Sequence, residues 1–177
     1  MLPSLSPSVA PSLMPSLSPS VILSTLPSQA PSIPPTKIIP FDGVAGGQFG
    51  RGIAVLGSTL VIGAALDGPG AAYVYDTSGN QLHKLRGSDA IATGEFGYDV
   101  AMSATQIVVG SRVGNAAYLF DVATGTQQIK LVSPQRSGTG NNYGEAVAID
   151  GSIIFVGDRS HNFNDVGQDT VHIFDTA

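Results

Sequence analysis

The chain has 177 residues, with 8 Lys and Arg against 13 Asp and Glu, a formal net charge of −5, and neither Cys nor Trp. Proteins that bind nucleic acid need a basic stripe, so this sparsely charged and mildly acidic chain argues against that class of function. The lack of cysteine excludes disulfides and thiolate metal sites. Because no stretch approaches ~18 apolar residues, we predict no membrane-spanning helix.

Residues 1–35 form a low-complexity tail rich in Pro and Ser. Ten of the twelve prolines lie in the first 40 residues, and Pro3 to Pro19 recur at every fourth position with a serine after each. Proline fixes φ and removes an amide donor, so we expect an extended, partly polyproline II spacer rather than helix or sheet. This composition predicts disorder, and it resembles the Pro/Ser stalks of wall- or matrix-associated proteins.

The start of the chain shows no signal peptide. Residues 1–4 include no basic side chain, and the apolar run at 21–26 is short and interrupted by serine. If the protein is secreted, we expect its targeting segment to lie outside this sequence.

Residues 36–177 repeat themselves three times. The pairs Phe49-Gly50, Phe96-Gly97 and Tyr143-Gly144 are each 47 residues apart, and Ala and Gly follow at constant offsets. A period in this range is typical of repeat architectures. Within each copy, short runs of β-branched and aliphatic residues bounded by turn residues predict strands. The predicted strands are 52–56, 59–64, 72–76 and 81–85, then 99–103, 106–111, 116–121 and 127–131, then 146–149, 152–157 and 171–175.

The same register, followed backwards, predicts one more strand ahead of the first copy. It places Lys37 opposite Lys84 and Ile38 opposite Leu85, so residues 36–39 are predicted to form an orphan fourth strand. The third copy stops before its own fourth strand. Four antiparallel strands in a repeat of this length make one blade of a β-propeller. We therefore predict an all-β fold, a partial propeller of about three four-stranded antiparallel blades.

The repeated residues resemble the FG-GAP repeat, the family that builds the propeller of integrin α-subunit heads and of many secreted proteins. The shared pattern is F-G-x-x-(I/V)-A, then two aliphatic residues and Gly, then Tyr-Val-Tyr-Asp or Tyr-Leu-Phe-Asp, across residues 37–177. Tyr143 and His172 are mild departures from it. The resemblance implies a non-catalytic extracellular or cell-surface module for recognition or adhesion.

Integrin-type repeats of this family carry an acidic calcium loop between their first and second strands. This chain has only two residues there, as in Gly57-Ser58, and no Asp-x-Asp-x-Asp-Gly cage fits into so short a turn. We therefore expect the calcium-free variety of the family, with no metal and no cofactor.

The residues that recur in all three copies are expected to serve packing. We predict that the glycine after each aromatic allows one blade to approach the next closely. The aromatics themselves, Phe49, Phe96 and Tyr143, are predicted to wedge between blades.

The segment between the second and third strands of the last copy is the predicted ligand-binding loop. It is the longest of the three such segments, and insertions in repeat proteins gather on one face, often the binding face. We expect it to present polar side chains to a protein or glycan partner. Its candidate residues are Asp158, Arg159, His161, Phe163, Asp165 and Asp169.

Oxygen-bearing side chains alternate along this loop in the rhythm of a calcium loop. The sixth position is nevertheless Phe163, where the sharp turn needs Gly, and the twelfth is Asp169 instead of a bidentate Glu. We predict no metal site there.

No catalytic constellation is visible in the sequence. His83, His161 and His172 fall on a predicted fourth strand, a loop and a third strand, and there is no nucleophile elbow and no phosphate loop. We predict that the chain is not an enzyme. Two alternatives to a recognition module stay open: a structural wall or matrix component, and a fragment of a propeller enzyme whose catalytic blades are absent here.

Three blades fall below the roughly four to eight that enclose a propeller axis. Either the chain is a fragment of a longer propeller, or two copies complete each other as a six-bladed ring. The open blade edges would allow self-association.

Overall fold

The computed structural model describes residues 37–134, 141–160 and 169–177, without the side chains of Asn141 and Ser160. The described residues form eleven β-strands and no helix. The strands are β1 Phe49–Leu56, β2 Thr59–Ala64, β3 Ala71–Asp76, β4 Gln81–Leu85, β5 Phe96–Met102, β6 Gln106–Ser111, β7 Ala116–Asp121, β8 Gln127–Val132, β9 Asn141–Asp150, β10 Ile153–Ser160 and β11 Thr170–Asp175. The predicted boundary between tail and repeats stays a prediction, because residues 1–36 lie outside this part of the chain.

The strands form three antiparallel sheets in sequence order, which we call blades 1, 2 and 3. Blade 1 is β1 to β4, blade 2 is β5 to β8, and blade 3 is β9 to β11. This arrangement confirms the predicted all-β fold and partial β-propeller. Every strand predicted within the three repeats is present, and blade 3 has three strands in the described part of the chain, as the sequence predicted.

The first strand of each blade begins earlier than the hydrophobic pattern predicted, at the repeated aromatic in blades 1 and 2 and two residues before it in blade 3. In β1, pairing with β2 breaks between Phe49 and Ile53, and β5 and β9 are interrupted in the same way. Such a β-bulge interrupts the alternation of side chains on which the sequence prediction depends. At the bulge the glycine after each aromatic has φ between +84° and +95°, a conformation that other residues rarely adopt.

The predicted strand at residues 36–39 is wrong for its described part, because residues 37–40 form no strand. An outer strand needs the third strand of its own blade as hydrogen-bond partner, and no blade lies ahead of blade 1 among the described residues. Pro40 also lacks an amide donor. In place of pairing, Ile38 packs against blade 1 beside Phe49 and Tyr73.

Consecutive blades touch backbone to backbone. A Cβ added to Gly63 in β2 would lie 2.1 Å from the carbonyl oxygen of Gly97 in β5, and one added to Gly110 in β6 would lie 2.0 Å from that of Gly144 in β9. No side chain fits in these gaps. The predicted close approach is therefore confirmed for Gly97 and Gly144, whereas Gly50 has no blade ahead of it in the described residues.

Apolar side chains fill the space on either side of these contacts. Phe96 is fully buried in a cluster that includes Val74 of blade 1, and Tyr143 is fully buried in one that includes Leu119 of blade 2. Burying one such ring contributes about 2–3 kcal/mol. The predicted inter-blade wedges are confirmed at these two positions. Phe49 packs instead against its own blade and the chain before it.

Replacing Gly110 with Ala is expected to destabilise the protein, because the new Cβ would overlap the Gly144 carbonyl and overpacking costs about 1–3 kcal/mol. Gly157 occupies the same position in blade 3 and has no neighbour closer than 3.5 Å to an added Cβ. Gly157→Ala should therefore change the free energy of unfolding by less than about 0.5 kcal/mol.

Urea unfolding followed by circular dichroism gives the free energy of unfolding of both variants. The measurement is made at a protein concentration where the midpoint no longer depends on concentration, so that association does not contribute. If both variants lose the same free energy of unfolding, the tight contact between blades 2 and 3 is contradicted.

Candidate functional site

The structure describes half of the predicted ligand-binding loop. Asp158 and Arg159 lie in the last part of β10, and Asp169 directly precedes β11. The other three predicted residues lie outside the described part of the chain: His161, Phe163 and Asp165.

Asp158 directs its carboxylate into the protein. The residue is 7% exposed, its Oδ2 accepts a hydrogen bond from Ser133 Oγ at 2.6 Å, and His172 Nε2 lies 3.5 Å from the same oxygen. In a nucleophilic triad the imidazole lies between the hydroxyl and the carboxylate. Here the Asp158 carboxylate lies between the hydroxyl and the imidazole instead. Its contact with Ser133 therefore connects the chain after β8 to blade 3. Burial, followed by the charge of Asp158, raises the pKa of the neighbouring Tyr143 phenol.

The third strand of each blade carries a ring whose polar atom meets a carboxylate, and this ring is buried in blades 1 and 2. Tyr73 donates its hydroxyl proton to Asp67, and Tyr118 donates to Asp89 Oδ1 at 2.9 Å. In blade 3 His172 stands in the position of the tyrosines. Sequence reasoning missed these pairs because the carboxylates come from loops at different distances along the chain.

In blades 1 and 2, a lysine of the fourth strand forms an ion pair with the carboxylate that accepts from the tyrosine. Lys84 Nζ lies 2.9 Å from Asp42 Oδ2 and 3.0 Å from Asp67 Oδ2. In blade 2, Lys130 binds Asp89 in the same way. Burial by itself would lower the pKa of Lys84, but its hydrogen bonds to Tyr73 and the two carboxylates raise it overall. Lys84 is therefore charged at neutral pH, and it holds the chain before blade 1 against that blade.

A second group of polar side chains gathers where the first strands bulge. The position after the repeated glycine is Arg51, Tyr98 or Glu145 in the three blades. β-Bulges turn side chains away from the regular sheet and are common beside binding sites. We call the whole group the bulge cluster: Arg51, Glu95, Tyr98, Arg112, Glu145 and Arg159.

Tyr98 lies at the centre of the bulge cluster. The guanidinium carbon of Arg51 lies 3.8 Å from the centroid of its ring, and that of Arg112 lies 4.5 Å away. Arg112 also donates through Nε and Nη2 to the two carboxylate oxygens of Glu95, at 2.8 and 2.9 Å. This bidentate pairing raises the pKa of Arg112. The ring is thus held between one paired guanidinium and the exposed guanidinium of Arg51.

Blade 3 adds a second ion pair to the bulge cluster. Arg159 Nε lies 3.2 Å from Glu145 Oε2, and the Arg159 side chain is half exposed. The cluster holds three guanidiniums and two carboxylates, so it carries a small positive excess within an acidic chain. Guanidinium groups beside an aromatic face still have donors for carboxylate or sulfate oxygens. The arrangement can therefore bind an acidic group, and sequence reasoning found only Arg159 of its six residues.

Residues 35–75 and 80–120 match the family profile described as FG-GAP repeat. These two stretches are FG-GAP repeats. The first stretch ends in β3 of blade 1, and the second runs from the start of β4 to β7 of blade 2. Such repeats build propeller-like modules that are often used for binding outside the cell.

Comparison with solved structures finds a similarity to the crystal structure of the computationally designed Ika8 protein. The TM-score is 0.43 at 19% sequence identity, over 68% of this chain and 36% of that chain. This chain thus spans about a third of the length of the designed protein. No curated protein matches it.

Within residues 37–134, 141–160 and 169–177, no group of three or more His, Asp or Glu side chains is arranged to hold a metal ion. In the same part of the chain, no helix has the length and apolarity needed to cross a membrane.

Asp158→Ala is expected to lower the free energy of unfolding by about 1–3 kcal/mol, because it removes the buried hydrogen bond between the Asp158 carboxylate and the Ser133 hydroxyl. Asp150→Ala, which removes an exposed carboxylate at the end of β9, is the matched control and should cost less than about 0.5 kcal/mol. Urea unfolding compares the two variants. If Asp158→Ala is as stable as the control, the carboxylate is not a structural anchor.

Stability is also expected to fall at alkaline pH through Tyr73. Burial, followed by the hydrogen bond to Asp67, raises the pKa of Tyr73 from its ordinary value of 10 to about 12. Between these values the folded state keeps a proton that the unfolded chain releases, so stability that is fully present below pH 10 is lost as the pH rises toward 12.

Tyr73→Phe removes this titrating group. We expect the slope of unfolding free energy against pH in that window to become shallower by up to about one proton, or ~1.4 kcal/mol per pH unit. Unfolding of both proteins at several pH values measures the slope, and an unchanged slope would show that the phenol titrates normally.

Proposed function

We propose that this FG-GAP chain is a non-catalytic recognition module that acts outside the cell or at its surface, as in adhesion, and binds a protein or glycan through the bulge cluster. The family supports the general role, since such repeats commonly serve as extracellular binding modules. The cluster supplies the specific surface.

The observation that carries the proposal is a contrast between neighbouring positions of the repeat. An aromatic residue and Gly recur at the start of every first strand, whereas the next position is Arg51, Tyr98 or Glu145. The recurring residues serve contacts between blades. The variable position lies at a bulge, where a change of side chain leaves the blade contacts intact. Chemical variety at such a position supports a role in binding rather than in packing.

The chemistry of the bulge cluster favours an acidic partner. Arg51 is exposed and lies on the ring of Tyr98, whereas Arg112 and Arg159 are each paired with a glutamate. Arg51 is therefore the cation best placed to meet a new carboxylate or sulfate group. Arginine and tyrosine side chains also dominate the binding energy of many interfaces.

The predicted ligand-binding loop adjoins this surface through Arg159, which belongs to both. We propose that Arg159 and Asp169 take part in ligand binding, together with His161, Phe163 and Asp165. Asp158 instead stabilises blade 3 through its buried hydrogen bond with Ser133.

Arg51→Ala is expected to weaken binding about tenfold, because it removes the exposed cation of the cluster, and one such contact is worth ~1–2 kcal/mol. The protein is first screened against extracellular matrix proteins and an array of sulfated and carboxylated glycans. The variant is then compared with the unchanged protein on the strongest ligand.

Arg86→Ala is the matched control, since it removes one exposed positive charge from the chain after β4, outside the cluster. It should retain binding within about twofold, whereas a general electrostatic attraction would be weakened equally in both variants. Full binding by Arg51→Ala and by Tyr98→Ala would exclude the bulge cluster as the ligand site.

A further inference from the structure

The contact between consecutive blades is made twice by the same repeat positions. Gly63 faces the carbonyl of Gly97 across the first junction, and Gly110 faces that of Gly144 across the second. At each junction the aromatic beside the second glycine enters an apolar surface on the blade before it. The two ends of the row of blades therefore show which residues a third junction of the same kind would use.

Both ends present these positions uncovered. Ile53 of blade 1 is 62% exposed, whereas Val100, at the same repeat position in blade 2, is 5% exposed. Ile173 of blade 3 is 65% exposed, whereas Leu119, its equivalent in blade 2, is 0% exposed. Gly157 likewise lacks the facing carbonyl that its equivalents meet. Each end is thus one half of a blade junction.

The open face of blade 3 contains a cavity at the place where a following aromatic would enter. It measures about 150 Å³, and its wall is almost entirely apolar. Its lining residues are Ala146, Val147, Ala148, Phe155, Gly157 and Val171. Phe155 and Val171 are equivalent to Val108 and Ala117, which pack with Tyr143 at the second junction.

Among the described residues, blade 3 has no counterpart to the outer strands β4 and β8. In the described part of the chain β11 pairs with β10 alone, whereas β3 and β7 each pair with a fourth strand. In those two blades the residue opposite the third-strand tyrosine is Lys84 or Lys130. Lys37 occupies the same repeat position, and it precedes Phe49 by twelve residues, as Lys84 precedes Phe96.

The chain before blade 1 is already held as a linker between blades is held. Phe41 N donates to Gln81 Oε1 at 3.2 Å, and Ser88 N, its equivalent before blade 2, donates to Gln127 Oε1 at 2.8 Å. Asp42 binds Lys84 just as the equivalent carboxylate before blade 2 binds Lys130. Residues 37–39 are therefore placed beside blade 1 as the fourth strand of a preceding blade would be.

We propose that a second copy of this chain supplies that preceding blade. Blade 3 of one copy packs against blade 1 of the other, and residues 37–39 of the second copy pair with β11 as its missing fourth strand. The register places Ile38 opposite Val171 and Lys37 opposite His172, by analogy with Leu85 opposite Ala72 and Lys84 opposite Tyr73. Two such junctions close a ring of six blades, within the usual range for propellers.

A second copy is the occupant that fits best, because both halves of the junction are present on this chain and continue an interface it already makes twice. The residues named for the junction are not members of the bulge cluster, although Gly50 directly precedes Arg51. Association is read from the mass and ligand binding from Arg51→Ala, so the two proposals are tested by separate measurements.

Light scattering over a dilution series of the full 177-residue chain tests the assembly. The expected mass is twice 18.1 kDa, falling to 18.1 kDa on dilution. A folded monomer at every concentration would overturn the proposal, and it would assign the open faces to some other partner. A series of ever larger species would overturn closure into a ring.

An engineered disulfide tests the register, since the natural chain has no cysteine. Ile38→Cys combined with Val171→Cys should form a disulfide-linked dimer under mild oxidation, because directly opposed strand residues lie within disulfide range. Ile38→Cys combined with Leu82→Cys, an exposed position on β4, is the control and should stay uncross-linked. Equal cross-linking of the two pairs would contradict the register.

Gly157→Ala tests the contact without disturbing the fold. Its Cβ has room within one copy, but it would meet the facing Gly50 carbonyl of a second copy as closely as its equivalents would at the inner junctions. We expect the dimer dissociation constant to rise at least about tenfold with an unchanged circular dichroism spectrum. Asp150→Ala, at an exposed position at the end of β9, is the control. Equal dissociation constants for these two variants would overturn the proposed junction.

Discussion

The close backbone contact between consecutive blades is the constraint on which the rest of the structure depends. A carbonyl of one blade occupies the space that a side chain would need at Gly63 or Gly110. The facing residue must also be Gly, because the chain bulges there with positive φ. The aromatic before it is thereby directed into the gap between blades, where Phe96 and Tyr143 are buried. One steric requirement thus explains the most regular part of the sequence.

Polar groups hold the outer part of each blade. In blades 1 and 2 a phenol, a carboxylate and a lysine meet at the third and fourth strands, and the carboxylate of Asp42 or Asp89 comes from the chain before the blade. Because Asp42 and Asp89 belong to the chain before each blade, their ion pairs with Lys84 and Lys130 form only when blade and linker are both in place. Blade 3 uses Asp158 and His172 in a related arrangement.

Residues that pack between blades and residues proposed to bind a ligand occupy different positions of the repeat. Positions that face another blade are restricted to Gly, small or apolar residues, whereas the bulge position beside them points away from the sheet and is free to vary. An acid-binding surface at the bulge therefore requires no change in the framework. The two open ends are a consequence of the framework itself, since a row of three blades leaves one half-junction at each end.

The amino-acid sequence by itself determined the strands within the three repeats, their grouping into blades, the glycines at the blade contacts and the buried aromatics. These features depend on local alternation, on turn residues and on a period of 47, all of which are visible along the chain. Tertiary structure decided the rest. It prevented residues 37–39 from forming a strand, because their pairing partner is not in the same row of blades, and it turned Asp158 inward, because Ser133 and His172 meet it there. It also brought Arg51, Tyr98 and Arg112 together, since side chains far apart in sequence become neighbours only when the blades stack.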